Sequence, residues 1–225
     1  MKNKKILLIS LFLILAIIIT FILTTENALE AYFVHKDNLV HNLSFGDISV
    51  NITELNENNN QILTPNDEVK KSPIVSNTSN IDTYIRVQVF VPIAKVKYID
   101  SNENIVYPSE EIDLILYEYN LGQGWEKVTE DGFSGIVKDS KGNKYRVYTY
   151  KYIENEKEKI VRAKENINTP VFDKFKVINY LDIDQNINLK LIVKAVSVQS
   201  LDEKTPNQMW TYYKNQKGSG ISEVE

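Results

Sequence analysis

The chain has 225 residues, with 26 basic and 30 acidic side chains, 10% aromatic residues and no cysteine. A net charge of −4 with interspersed signs excludes the basic stripe of a nucleic-acid-binding protein. The absence of cysteine excludes a disulfide-stapled module and a thiol nucleophile, so the fold must rest on an apolar core.

Met1-Lys2-Asn3-Lys4-Lys5 is a basic start, and Ile6 to Leu23 is apolar except for Ser10 and Thr20. As a helix this run spans roughly 27 Å, close to the hydrocarbon thickness of a bilayer. A basic segment followed by an apolar one predicts an export signal, with the basic end left on the cytoplasmic side. The run is longer than the ~7–15 residues of an ordinary signal core, so an uncleaved anchor is the alternative. Residues 1–31 are read as signal peptide or anchor, 32–42 as an N-terminal arm, 43–217 as one domain and 218–225 as a flexible tail. Without residues 1–31 the chain carries 23 basic against 28 acidic residues, an ordinary solvated surface. No later stretch is apolar enough to span a membrane, so membrane contact is expected only through residues 6–23.

Strand signals dominate the rest. Ile48 to Thr53 alternates apolar and polar residues, the pattern of a strand with one buried face. Glu54 to Gln61 is an Asn-rich loop, and Thr64-Pro65-Asn66-Asp67 has turn chemistry. Val69–Val75 and Thr83–Val91 read as strands separated by the polar turn 76–80. In the second, Ile85, Val87, Val89 and Val91 are β-branched and should face the core, opposite Tyr84, Arg86, Gln88 and Phe90. Pro92 should stop that ladder.

Ile112, Ile115, Leu116 and Tyr119 follow Pro108-Ser109-Glu110-Glu111 at helical spacing and predict a short amphipathic helix. Trp125–Val128 and Gly135–Val137 are short strands. Asp139 to Asn143 is a hairpin turn into the strand Lys144–Tyr152, with Tyr145, Val147, Thr149 and Lys151 on one face and Tyr148, Tyr150 and Tyr152 on the other. Glu154–Lys159 reads as a charged loop. Val171–Ile178 and Asn188–Gln199 are the last strands, and Thr205-Pro206 opens a helix through Met209, Trp210 and Tyr213. The fold expected is all-β: an antiparallel two-sheet, jelly-roll-like sandwich with one or two short helices, preceded by the signal helix.

Catalytic constellations are sparse. The two histidines, His35 and His41, fall on one side of a strand and would need further ligands to hold zinc. No His-Glu-x-x-His and no Gly-x-Ser-x-Gly occurs. Asp182-Ile183-Asp184-Gln185-Asn186 begins like a calcium loop, but Ile187 stands where the turn glycine belongs and Val193 where the bidentate acid belongs. No catalytic residue is assigned. The tyrosines of 145–152 read either as core and cross-strand packing or as an aromatic surface for a sugar or partner.

Several stretches in order along the chain carry a resemblance. Ala31-Tyr32-Phe33 is followed by Leu43-Ser44-Phe45-Gly46-Asp47-Ile48-Ser49-Val50, then by Thr64-Pro65-Asn66-Asp67-Glu68-Val69 and Pro73-Ile74-Val75-Ser76-Asn77-Thr78. Thr83-Tyr84-Ile85-Arg86-Val87-Gln88-Val89, Gly124-Trp125, the Tyr-rich strand, Thr169-Pro170-Val171-Phe172 and Ala195-Val196-Ser197-Val198-Gln199 complete the set. Together they resemble the TasA/camelysin family of exported Firmicute proteins. Asn66 stands where that family's turn has glycine, a position whose positive φ asparagine tolerates.

The resemblance implies processing by a SipW-type signal peptidase at Ala31–Tyr32, and a secreted matrix or cell-surface protein. It also implies partners in the form of further copies of the chain and other matrix proteins. Assembly as implied would donate the new N-terminus, with Tyr32, Phe33, Val34, Leu39 and Val40 as its apolar residues, to the sheet edge of the next subunit. Two other readings stand beside this one: a camelysin-type cell-surface metalloendopeptidase, and a membrane-tethered surface adhesin.

Overall fold

A computed structural model of the chain describes residues 50–54, 63–182 and 189–224. The expected export segment, the expected Ala31–Tyr32 cleavage position and the expected arm with His35 and His41 lie outside the described residues. So do Ile48 and Ser49 of the first expected strand, most of the Asn-rich loop, and residues 183–188 of the calcium-like stretch.

The fold is the expected antiparallel β-sandwich. Its main elements are β1 (Val50–Glu54), β2 (Pro73–Asn77), β3 (Thr83–Ala94), β4 (Gly135–Lys138), β5 (Lys144–Glu154), β6 (Ile192–Gln199) and the helix α1 (Pro206–Lys217). The larger sheet runs β4–β5–β3, with β6 on the other side of β3 and short strands completing the ends. Opposite it lie two three-stranded sheets. One joins β1, β2 and Asn166–Ile167; the other joins Glu68–Lys70, Lys174–Val177 and Ile115–Leu116. Val87, Val89 and Val91 of β3 are fully buried against Val75, Ile167, Phe172, Phe175 and Val177 from that second layer.

β3 departs from the expected half-buried strand. All twelve of its residues are buried, so both faces are covered. The inner face carries Ile85, Val87, Val89 and Val91, as their β-branched pattern requires. The outer face carries Tyr84, Arg86, Gln88 and Phe90, beneath α1, Phe133 and the C-terminal segment. Pro92 does not end the strand. Pairing with β5 stops at Pro92↔Tyr145, and Ile112–Asp113 takes over opposite Ile93 and Ala94. Pro92 sits at this change of partner, where its carbonyl accepts from Leu114 N at 2.9 Å.

The helix expected after Pro108 is absent. Ile112–Asp113 and Ile115–Leu116 are short strands, followed by one 3₁₀ turn at Glu118–Asn120. Leu114 is fully buried and Ile115 and Tyr117 nearly so, while Leu116 and Tyr119, two members of the expected apolar stripe, are about half exposed. The β-branched residues here pair with β3 and Val177, and this tertiary pairing outweighs a weak helical period.

Two polar turns are ordered by side-chain hydrogen bonds, one buried and one at the surface. Asn77 is 1% exposed; its amide donates to Ile81 O and Val161 O, and its Oδ1 accepts from Ser79 Oγ at 2.6 Å. Asn66 has φ 69°, and the turn around it is tied by Asp67 Oδ2, which accepts from Thr64 N and Oγ1.

α1 begins where the sequence places it. Thr205 is the N-cap, Pro206 opens the helix, and Gln208 Oε1 accepts from Thr205 N at 2.9 Å to complete a capping box. Lys214 and Lys217 oppose the helix dipole in the last turn, and Gly218 closes it at φ 72°. The tail is not frayed, contrary to expectation. Gly220 and Val224 are buried, and Gly220 N donates to Gly132 O at 3.0 Å.

Thr205→Ala removes the cap acceptor and should lower stability by about 1 kcal/mol. Chemical denaturation with an unchanged m-value would record it as a shift in midpoint.

Candidate functional site

Three groups of side chains stand out, and each follows from how β3 is buried. The first is on its outer face. Arg86 is 0% exposed, although an arginine is rarely desolvated without a partner. Glu158 supplies that partner: Arg86 Nη2 and Nε donate to its two oxygens at 3.1 and 3.3 Å. Nη2 also donates to Glu130 at 3.2 Å. The guanidinium carbon lies 4.6 Å from the ring centres of both Phe133 and Trp210. Trp210 Nε1 donates to Glu158 Oε1 at 2.6 Å, so α1 is tied to the same carboxylate.

Burial pushes the Glu130 carboxyl up, but a backbone hydrogen bond and the Arg86 and Lys151 charges hold it below the usual range. Glu158 falls in the segment expected to be a solvated loop. Instead Asn155 and Glu156 make a tight left-handed turn, and Lys157–Glu158 pairs back onto β5 and carries Glu158 inward. No sequence signal marked this. An acid six positions beyond the last tyrosine of that strand looks like any surface charge.

The second group is a tyrosine network at the inner face of β5. Tyr117 and Tyr150 hydroxyls lie 2.8 Å apart, and Tyr150 donates to Glu118 Oε1 at 2.6 Å. Lys127 Nζ donates to the same Glu118 oxygen at 2.9 Å and stands 4.0 Å from the Tyr148 ring centre. Tyr148 donates to Asp113, which also accepts from Arg146 at 2.7 Å. Burial pulls the Glu118 carboxyl upward, but the hydrogen bonds from Tyr150 and Lys127 outweigh it and hold the group low. Burial pushes all three phenols up, Tyr148 to about 12. All three are protonated: Tyr148 and Tyr150 donate to carboxylates that already have partners and Tyr117 pairs with the Tyr150 hydroxyl, which is the packing reading of these tyrosines.

The third group is an open seam. Among the described residues β6 pairs only with β3. Ser200 N donates to Asp82 O, so alternation turns the N–H groups of 192, 194, 196 and 198 toward β3 and those of 193, 195, 197 and 199 away from it. Val193 and Ala195 face the core but stay half-buried, as do Val50 and Ile52 of β1 at the rim of the other layer. Among the described residues, Val193 and Ala195 are thus only part-covered beside the N–H groups that β6 turns away from β3, with β1 packed next to them. The one lysine of β6, Lys194, is turned to the outer face, where Nζ donates to Glu223 O at 2.8 Å.

Of the residues singled out in the sequence, the structure places Tyr148 and Tyr150 in the second group, Tyr145 on the outer face with Phe90 and Val147, Tyr152 against Trp125, and Arg86 in the first group. Ala31, Tyr32, Phe33, Val34, His35, Leu39, Val40 and His41 lie outside the described residues. Among the described residues no three His, Cys, Asp or Glu side chains form a group able to hold a metal ion. None of the described helices is long and apolar enough to cross a membrane. Comparison with family models, curated proteins and solved structures returns no match.

Glu158→Gln leaves the buried Arg86 charge with only the part-exposed Glu130 as counterion and should cost up to about 3–5 kcal/mol; the double variant Arg86→Met/Glu158→Leu should cost less than the single one. Thermal melts of the three proteins decide this. The raised phenols give a second expectation. Their folded pKa values lie above the unfolded value near 10, so the stability they contribute is complete below about pH 10 and is lost as pH rises through about 12. Absorbance at 295 nm and far-UV dichroism followed together should show these phenols ionising only as the sheet unfolds.

Proposed function

We propose that the chain is a secreted structural protein of the TasA/camelysin type, a subunit of a biofilm matrix or cell-surface fibre. The observation that carries this reading is the seam along β6. An edge strand with unpaired N–H and C=O groups and half-buried Val193 and Ala195 is a template for one more strand. The sequence offers a matching strand beside the proposed cut, where Tyr32, Phe33, Val34, Leu39 and Val40 supply apolar side chains. Donation of that segment to the next copy is a head-to-tail contact that does not close on itself, and such contacts build filaments. Each backbone hydrogen bond adds only ~0.5–1.5 kcal/mol, so the buried apolar residues must supply much of the affinity.

The ordered motifs from Ala31 to Gln199 support the family reading, and the basic and apolar segments before them support export. The arrangement needs no catalytic group. Its parts are an edge, a core it leaves incomplete, and a released strand.

Protein collected from the medium should begin at Ala31 or Tyr32 by intact mass and polymerise into filaments visible by electron microscopy. Deleting residues 32–42 should abolish the filaments. Ala195→Pro should do the same with little change in melting temperature, because it removes an N–H directed away from β3. Wild-type protein that starts at Tyr32 and stays monomeric at every concentration would refute the proposal. A chain retained in the membrane fraction with residues 6–23 would replace it with the tethered adhesin.

A further inference from the structure

The outer face of the larger sheet holds the chain's last described residues in the manner of a bound peptide. Gln88 is fully buried, and its side-chain amide grips the backbone of the C-terminal segment at two points. Nε2 donates to Gly220 O at 2.5 Å, and Oε1 accepts from Ser222 N at 2.8 Å. This pairing of an amide side chain with a carbonyl and the N–H two residues on reads the backbone of a bend, at Gly220 and Ile221, without regard to side chains. Gly220 N adds a third backbone bond, to Gly132 O at 3.0 Å.

Side-chain selection comes from two flanking features. A Cβ at residue 220 would lie 2.6 Å from Gly132 O and 2.6 Å from Phe133 Cδ1, so only glycine fits there. Four residues on, Val224 is buried with Phe90, Tyr145 and Val147. The segment is joined to α1 through Gly218-Ser219-Gly220, and nothing lies within 4 Å of where a Gly218 side chain would start. A Gly-Ser-Gly connection is flexible, and it leaves the segment free to leave its own groove for another.

We infer that this face is a peptide-binding groove that recognises a Gly-x-x-x-Val segment bent at its glycine. It is filled in the structure by residues 219–224 of the same chain and is open to the same segment of a second copy. The groove lies on the opposite face of the larger sheet from the core that the β6 seam exposes. It does not depend on cleavage at Ala31 or on strand donation.

The cis segment competes through an effective concentration on the order of millimolar, so an added peptide should bind wild-type protein poorly. The test uses the full secreted chain and a fluorescent synthetic heptapeptide with the sequence of residues 219–225, read by anisotropy. Val224→Asp weakens the cis segment and leaves the groove intact. This variant should melt like wild type and bind the peptide at least ten times more tightly than wild type does. Adding Gln88→Ala, or using a peptide with alanine in place of its glycine, should cut that binding at least tenfold. A folded Val224→Asp protein that does not bind the peptide, or that binds the alanine peptide equally well, would overturn the inference. Failure of filament formation would leave these results unchanged.

Discussion

The structure depends on β3 being buried on both faces while carrying an arginine in its middle. An ionised guanidinium removed from water requires an acid at hydrogen-bond distance and a surface that tolerates it. Glu158 provides the first, and the Phe133 and Trp210 rings provide the second. Three separate parts of the chain therefore converge on one side chain: the hairpin after β5, the loop before β4 and the helix α1. The cluster acts as a fastener. It holds a third layer over a sheet that would otherwise present Tyr84, Phe90, Tyr145 and Val147 to solvent.

The same two-sided burial explains what remains open. β3 lies inside its sheet, with β5 on one side and β6 on the other. β5 is itself flanked by β4 and Trp125–Lys127, whereas β6 has no further hydrogen-bonded strand among the described residues, although β1 packs beside it. The core is consequently complete under β3 and thin under β6, where Val193 and Ala195 retain exposure. In the function proposed above, that part-covered edge is the one that would take a donated strand.

The aromatic strand β5 shows how one sequence pattern can serve two layers. Its odd-numbered residues Tyr145 and Val147 pack outward under the C-terminal segment, while Tyr148 and Tyr150 enter the carboxylate network on the inner side. Neither set is free to bind a sugar, because the Tyr148 ring is covered by Lys127 and the Tyr150 hydroxyl is engaged. The tyrosine hydroxyls bring polar bonds into a core that has no disulfides, and they fix the side chains of Glu118 and Asp113 at its margin.

The sequence by itself determined the class of fold, the two faces of β3 and β5, the left-handed turn at Asn66 and the capped helix from Thr205. Each of these rests on local chemistry: a two-residue period, a tolerated positive φ, or a side-chain acceptor three residues from its donor. It also carried the export reading, because a basic and apolar segment is interpreted by the membrane before any fold exists. Only the tertiary structure decided the rest. Ile112 to Leu116 became strands because β3 and Val177 offered unpaired edges, against a helical spacing that local propensity only weakly supported. Glu158 and Asn77 turned inward because distant groups, Arg86 in one case and the carbonyl of Val161 in the other, required partners. The tail became a docked segment because Gln88, more than a hundred residues earlier, faces outward under it. These are long-range satisfactions of buried polar groups, and no local pattern records where in the chain the partner lies.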